Sequence, residues 1–180
     1  RTFSHQNITE FAEFSDVPVI NGLTDTSHPC QTVADLLTIY ESVGRLDQLK
    51  VAYLGDANNV CRSLVQGCQI LGIDIAVASP TLDQCSDLNI ESVSVENAVT
   101  GADVIYTDTW VSMGQEGGNT IDQFDQYQVN TMLMARANPT AIFLHCLPAH
   151  RGEEVTDEVM ESNQSRVFDQ AENRLHAQKA

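Results

Sequence analysis

The chain has 180 residues, which is enough for one sizeable domain, and its composition of 42% hydrophobic and 19% charged residues argues against disorder. It contains 9 Lys and Arg residues and 25 Asp and Glu residues, which gives a formal net charge of −16. This balance argues against nucleic acid and membranes as partners, because phosphate binding needs clustered cations and no apolar run approaches the roughly 20 residues of a membrane span. An acidic surface of this kind could also attract a cationic substrate.

The cysteines are odd in number and include no Cys-x-x-Cys pair, so a disulfide framework is not expected. This favours a reducing, cytoplasmic setting. They are Cys30, Cys61, Cys68, Cys85 and Cys146. A zinc site is not expected, because His145 and Cys146 are adjacent and adjacent strand residues point to opposite faces. The chain begins at Arg1 without Met and without the profile of a signal peptide, so we expect a fragment or a processed product.

The first third of the chain predicts two helices and a short strand. Loose helical spacing covers residues 3–14, and residues 17–22 are typical of a strand that ends in a turn. A second helix is predicted over residues 28–44, since Pro29 suits a first helical turn and Gly44 a helix end. The apolar positions expected to face the core in this helix are Val33, Leu36, Leu37 and Tyr40.

From residue 50 onward, strands alternate with helices across short loops. Strands are predicted at residues 50–54, 75–78, 102–107 and 141–144, with a fifth at 166–168. Helices are predicted at residues 60–71, near 95–100 and from 169, and residues 114–127 form one long polar loop. This alternation predicts an α/β fold with a doubly wound, mostly parallel sheet and helices on both faces, as in Rossmann-like proteins.

Polar side chains follow three of these strands directly. They lie in residues 55–59 (Gly-Asp-Ala-Asn-Asn), 108–114 and 145–148 (His-Cys-Leu-Pro). In a parallel sheet the carboxyl ends of the strands meet at one edge, where ligands bind. Taken singly, each turn is also explained by helix capping, and Cys146 by a buried core position. No Gly-x-Gly-x-x-Gly pattern supports a dinucleotide site.

Five segments, in this order along the chain, resemble the ornithine carbamoyltransferases. They are residues 28–31 (His-Pro-Cys-Gln), 55–59, 108–114 (Asp-Thr-Trp-Val-Ser-Met-Gly), 145–148 and 171–179. Aspartate carbamoyltransferases share the ancestry but carry His-Pro-Leu-Pro at the fourth segment and lack the Ser-Met-Gly loop. The resemblance implies transfer of a carbamoyl group from carbamoyl phosphate to the δ-amine of L-ornithine, giving L-citrulline and phosphate, with no cofactor and no metal.

The resemblance also assigns residues. The positions expected to bind ornithine are Asn59, Asp108, Ser112 and Met113. The positions expected to bind carbamoyl phosphate are Arg1, His28, Gln31, Cys146, Leu147 and Arg174. The residues expected to act in catalysis are Cys146, Asp108, His28 and Arg174.

The chemistry of these side chains agrees with the assignment. Asp108 can neutralise an ammonium group, and Asn59 can bond a carboxylate. Cys146, as thiol or thiolate, and the Leu147 carbonyl would accept or steer the proton of the attacking amine. Donors and cations near carbamoyl phosphate would stabilise the developing oxyanion and the leaving phosphate. The Leu147–Pro148 bond is expected to be cis, as in relatives.

By the same resemblance, residues 1–180 form the ornithine-binding, carboxyl-terminal domain. The amino-terminal carbamoyl-phosphate domain, with its Ser-Thr-Arg-Thr-Arg turn, is absent from this chain, so we expect weak or no catalysis by the chain alone. The full-length relatives are homotrimers or multiples of trimers, with contacts largely through that domain.

Two alternatives stay open at this stage. The acceptor could be putrescine or an acylated ornithine, although the Asp108 and Ser112-Met113-Gly114 pattern favours an acceptor with a free α-amino acid group. Alternatively, the chain could be a stand-alone module that binds amino acids without turnover.

Overall fold

The computed structural model describes residues 1–110 and 121–180. The helices are α1 (His5–Glu13), α2 (Pro29–Val43), α3 (Asn59–Leu71), α4 (Val95–Val99), α5 (Thr131–Met134), α6 (Asp157–Met160) and α7 (Val167–Lys179). The strands are β1 (Lys50–Leu54), β2 (Asp74–Ala78), β3 (Val104–Thr107) and β4 (Ile142–His145). Two 3₁₀ helices cover Leu82–Leu88 and Ile121–Tyr127. Within the described ranges, no helix combines the length and the apolar character needed to cross a bilayer.

The four strands form one parallel sheet in the order β2-β1-β3-β4. The chain steps outward from β1 to β2 and then returns to β3 on the other side of β1. The strand order therefore reverses between β1 and β3, which is where open α/β sheets bind ligands. The register aligns Leu54 of β1 with Thr107 of β3, and Thr107 with His145 of β4, so these strands end level with one another.

Successive strand residues point to opposite faces of the sheet, and each face carries its own core. Val51 and Tyr53 pack with Leu64 and Cys68 of α3 on one face. On the other face, Ala52 and Leu54 of β1 pack with side chains of α4, α5 and α6. The expected α/β fold with helices on both faces is therefore confirmed.

Most predicted elements lie within two residues of the observed ones, but three predictions are wrong. Residues 17–22 form no strand; Val17 and Ile20 are 69% and 79% exposed, and none of the described strands pairs with this segment. The predicted fifth strand is the start of α7, and only a single bridge between Phe143 and Ser165 adds to the sheet there. Residues 121–127 of the predicted polar loop form a 3₁₀ helix that buries Phe124.

The buried face of helix α2 is largely polar, and two of its four predicted apolar positions are exposed. Val33 and Tyr40 are each 53% exposed, whereas Gln31, Asp35 and Thr38 are buried. This orientation follows from α7, which packs against α2 and presents polar partners to it. Gly44 ends α2 as predicted, and both it and Gly72, at the end of α3, are in the left-handed conformation.

The packing of α3 on α2 makes a testable prediction at Gly67. A Cβ atom there would lie 2.4 Å from Cγ2 of the buried Thr32. We expect Gly67→Ala to lower the free energy of unfolding by about 1–3 kcal/mol, the usual cost of overpacking, despite the helix propensity of alanine. Thermal denaturation would measure this change. Thr32→Ser removes the clashing methyl group, so the double variant should regain most of the loss; a Gly67→Ala variant more stable than wild type would contradict the packing described.

Candidate active site

The polar residues after β1, β3 and β4 meet at Asp108. Asn58 donates from Nδ2 to Oδ2 of Asp108 at 2.7 Å, and the Cys146 thiol donates from Sγ to Oδ1 at 3.0 Å. The Asp108 side chain is almost fully buried, with 7% of the residue exposed. The predicted convergence of three strand ends is therefore confirmed, and one carboxylate lies at its centre.

Asn58 has two roles that the sequence alone could not separate. Its Oδ1 accepts from the backbone N–H groups of Val60 and Cys61, which caps α3. Its amide nitrogen remains available for Asp108. The turn that joins β1 to α3 is tight. Gly55 in this turn has φ of +114°, and a Cβ atom at this position would lie 3.2 Å from the Trp110 side chain. Helix capping and placement of the Asp108 carboxylate thus use the same side chain.

Cys146 is a thiol rather than a thiolate at neutral pH. Burial, followed by the negative charge of Asp108, raises the pKa of Cys146 well above its ordinary value. A thiol that donates to a carboxylate is consistent with this protonation state. Cys146 can therefore hold Asp108 in place and present a polarisable sulfur, but it is not available as a base.

His145 is fully buried and shapes the turn that follows Cys146. Its Nδ1 accepts from the backbone N–H of Leu147 at 2.9 Å, so Nε2 carries the proton and faces Glu154 Oε1 at 3.1 Å. Leu147 has φ of +59°, and the Leu147–Pro148 bond is cis as expected. His145 thus links Glu154 to the backbone of the turn.

The sequence-based argument against a metal site used a wrong premise. Cys146 lies beyond the end of β4, so its sulfur does not alternate with the His145 ring as a strand residue would. Ligand atoms of Asp108, His145 and Cys146 all lie within 4.8 Å of one another. Both ring nitrogens of His145 are nevertheless engaged, by Leu147 and by Glu154, so this group could hold a metal only by giving up those contacts.

A second cluster joins α7 to the start of α2. Arg174 Nη1 donates to Gln31 Oε1 at 2.5 Å and lies 3.3 Å from His28 Nε2. With its amide oxygen facing the guanidinium, Gln178 accepts from Nη2 and Nε of Arg174 at 2.8 Å each. Three of the residues predicted to bind carbamoyl phosphate are therefore in direct contact.

His28 is neutral in this cluster. Burial and then the Arg174 charge lower the pKa of His28 to about 4, while the Asp108 charge raises it and the Arg1 charge lowers it. The charges of both Arg174 and Asp108 therefore act on the His28 imidazole. Arg1 is exposed and acts on His28 through its charge.

Asp35 is the important residue that the sequence analysis missed. It is fully buried in α2 and accepts from Gln31 Nε2 at 2.8 Å, from Gln170 Nε2 at 2.6 Å and from the Tyr106 hydroxyl at 3.1 Å. Burial raises the pKa of Asp35 to about 6, although these hydrogen bonds oppose the shift. By binding the Gln31 amide nitrogen, Asp35 turns the Gln31 oxygen toward Arg174. Its only sequence signal is the spacing of four residues from Gln31 on one helix face.

The remaining predicted ornithine ligands are not brought to Asp108 by the described contacts. Asn59 is partly buried and donates from Nδ2 to the Thr24 carbonyl at 2.6 Å, which ties α3 to the loop before α2. Ser112 and Met113 lie outside the described residues. Their roles stay predictions.

Comparison with known proteins identifies the family of the chain. Residues 47–180 match the Asp/Orn binding domain model of the aspartate/ornithine carbamoyltransferases, and residues 1–41 match the model of their carbamoyl-P binding domain. The chain therefore belongs to the aspartate/ornithine carbamoyltransferase family.

Individual relatives are named ornithine carbamoyltransferase. Those of Gloeobacter violaceus and Carboxydothermus hydrogenoformans are 50% and 52% identical over the whole of this chain, which spans 63% of each relative. The structure of the ornithine carbamoyltransferase from Pyrococcus furiosus superposes with a TM-score of 0.90 at 45% identity, over 99% of this chain and 63% of that one. The chain thus spans less than two thirds of the length of the relatives it matches.

The neutral state of His28 can be tested by NMR titration of its ring protons. We expect a pKa of about 4 in the native chain, and a higher value in Arg174→Gln because one of the two main causes is removed while burial remains. Since the unfolded chain takes up this proton near its ordinary pKa of 6.5 and the folded chain does not, His28 makes the fold less stable as pH falls from 6.5 to 4. A native pKa near 6.5 would contradict the cluster geometry.

The coupling of Cys146 to Asp108 predicts a change in thiol reactivity. Asp108→Asn removes the charge that raises the pKa of Cys146, so its alkylation by iodoacetamide at pH 8 should accelerate by at least ~3-fold. Mass spectrometry of the Cys146 peptide would measure the rate, with Cys30 as internal reference. Asp74→Asn, an exposed residue at the other end of the strands, is the matched control. Equal rates in both variants would show that Asp108 does not control the thiol.

Proposed function

We propose that this chain supplies the ornithine-binding part of an ornithine carbamoyltransferase, which transfers a carbamoyl group from carbamoyl phosphate to the δ-amine of L-ornithine. The observation that carries the proposal is the buried Asp108 carboxylate, held by Asn58 and Cys146 at the carboxyl edge of the sheet. Membership of the carbamoyltransferase family supplies the reaction class, and the chemistry of this edge supports a cationic amino acid as acceptor.

Asp108 supports the acceptor half of the proposal. A carboxylate with two donors already in place stays ordered and retains lone pairs for a third, so it can accept from the α-ammonium group of ornithine. The Cys146 sulfur and the Leu147 carbonyl are then the groups beside the δ-amine. Ser112, Met113 and Asn59 would complete the α-amino acid contacts in this proposal.

The Arg174 cluster supports the donor half. Its guanidinium offers a fixed positive charge for the leaving phosphate, and the Gln31 and neutral His28 side chains beside it offer polar contacts for the carbamoyl group. Donors at the carbamoyl oxygen stabilise the negative charge that develops there as the amine attacks. Arg1 adds a further positive charge near His28.

The protonation states restrict the proposed chemistry. The δ-nitrogen must be neutral to attack; its lone pair forms the new C–N bond, the C–O bond to phosphate breaks with its electron pair, and the nitrogen loses one proton. Cys146 already carries its proton, so in this proposal the thiol orients the amine and stabilises Asp108 rather than acting as base. Because Asp108 binds the α-ammonium group in this proposal, the proton passes to the leaving phosphate, which departs with the C–O electron pair.

The partners of the complete enzyme follow from the same proposal. The first twenty residues expose Phe11, Phe14, Val17 and Ile20 by 68%, 90%, 69% and 79%. Because this segment matches the carbamoyl-P binding domain model, we propose that the rest of that domain covers these side chains. A homotrimer or a multiple of trimers and a cytoplasmic location are further proposals; the second is supported by five free cysteines.

Calorimetric titration of the chain with L-ornithine, putrescine, N-acetylornithine and L-aspartate tests the acceptor assignment. We expect binding selective for L-ornithine, weakened by roughly 1–3 kcal/mol in Asp108→Asn, the usual scale for a hydrogen bond to a charged group. Asp74→Asn removes the same charge from the opposite end of the sheet and should bind normally. Tighter binding of putrescine or N-acetylornithine, or unchanged affinity in Asp108→Asn, would overturn the assignment.

A further inference from the structure

A second group of metal-ligating side chains lies just beyond the cis-proline turn. His150 Nδ1 is 3.7 Å from Glu153 Oε2 and 4.0 Å from Glu154 Oε2. One ligand atom from each of the three residues lies within 4.8 Å of the other two. None of these side chains belongs to the set assigned to ornithine or carbamoyl phosphate.

The buried side chain of Glu154 is a second, independent observation at this cluster. The side chain is fully buried, and its Oε1 accepts from the His150 backbone N–H at 2.5 Å and from His145 Nε2 at 3.1 Å. Its Oε2 is also buried but has no hydrogen-bond partner among the described residues. An unpaired buried carboxylate oxygen is costly unless a positive group satisfies it.

The nearby basic side chains do not hydrogen-bond this oxygen. His150 Nδ1 lies 4.0 Å from it, and the Arg151 guanidinium pairs with Asp157 and Glu161 at 2.8 and 2.6 Å. The turn itself is fixed from the other side, because Gln128 Nε2 donates to the carbonyls of Gly152 and Glu153. The backbone therefore holds two carboxylates and one imidazole together while the nearby arginine is used elsewhere.

We propose that His150 Nδ1, Glu153 and Glu154 Oε2 form a binding site for a divalent cation that accepts mixed nitrogen and oxygen ligands, such as Mn²⁺. Carboxylates and imidazole are suitable ligands for this class of ion. The His150 and Glu153 side chains are 50% and 43% exposed, so water can reach the ion and complete its coordination, while Glu154 holds it from inside. The cluster of Asp108, His145 and Cys146 is the weaker candidate, because both nitrogens of His145 are engaged.

This site does not depend on the proposed carbamoyl transfer, but it contacts the turn at residues 145–148 that also belongs to the candidate active site. The other oxygen of Glu154 bonds His145, whose Nδ1 accepts from the Leu147 N–H. A bound cation would therefore neutralise Glu154 directly behind the turn that carries Cys146 and Leu147.

Electron paramagnetic resonance of free Mn²⁺ tests the proposal on the 180-residue chain, with no substrate present. We expect one saturable site per chain, and at least ~10-fold weaker binding in Glu153→Gln and in His150→Asn, the scale seen when metal sites lose supporting contacts. Both positions are half-exposed, so neither variant should disturb folding, and circular dichroism would verify this. Glu154 itself is left unchanged, because its buried carboxylate also bonds His145.

Two control variants make the result decisive. Glu158→Gln removes the same charge from an exposed position in α6, and Cys146→Ser removes the thiol of the other cluster; both should leave Mn²⁺ affinity within about twofold. Equal weakening by Glu153→Gln and Glu158→Gln would mean diffuse attraction to an acidic surface and would overturn the site. Loss of binding in Cys146→Ser, or no saturable binding up to about 1 mM Mn²⁺, would overturn it as well.

Discussion

The parallel direction of all four strands is the constraint on which the rest of this structure depends. Because β1, β3 and β4 end level with one another, the side chains that follow them meet at one edge of the sheet. The result is a buried carboxylate, Asp108, held by an amide from one turn and a thiol from another. In an antiparallel sheet these turns would lie at opposite edges. The fold therefore creates the negative centre of the site before any ligand is present.

A second buried carboxylate, Asp35, connects this edge to the helices. It binds amides from both α2 and α7, and the Gln170 oxygen in turn accepts from the backbone N–H of His145. Gln31, which touches Arg174, and His145, the residue before Cys146, thus share one hydrogen-bond network. Such networks are specific because every member must be satisfied at once. We interpret the polar contact between α2 and α7 as the interaction that fixes the Asp108 and Arg174 clusters relative to each other.

The sequence predicts much of this arrangement, for identifiable reasons. Strand and helix periodicity define β1 and α3, and the parallel topology then places Asn58, Asp108 and Cys146 together. The Asp35 network was not predictable, because Gln170 lies 135 residues away and a polar helix face is normally exposed to solvent. The same polar face leaves Val33 and Tyr40, two of the four apolar positions predicted to face the core, exposed. The strand predicted at residues 17–22 is wrong for a different reason: none of the strands in residues 1–110 and 121–180 pairs with it.

The most direct test of the central claim is to map where L-ornithine binds, using amide chemical shifts of the chain in solution. The account predicts changes concentrated at the three strand ends, around residues 55–59, Asp108 and 145–147. The main competing location is the acidic cavity between α2 and α7, lined by Glu41, Asp169 and Glu172 among others. Shift changes confined to that cavity, with none at Asp108, would contradict the claim that the strand ends form the acceptor site.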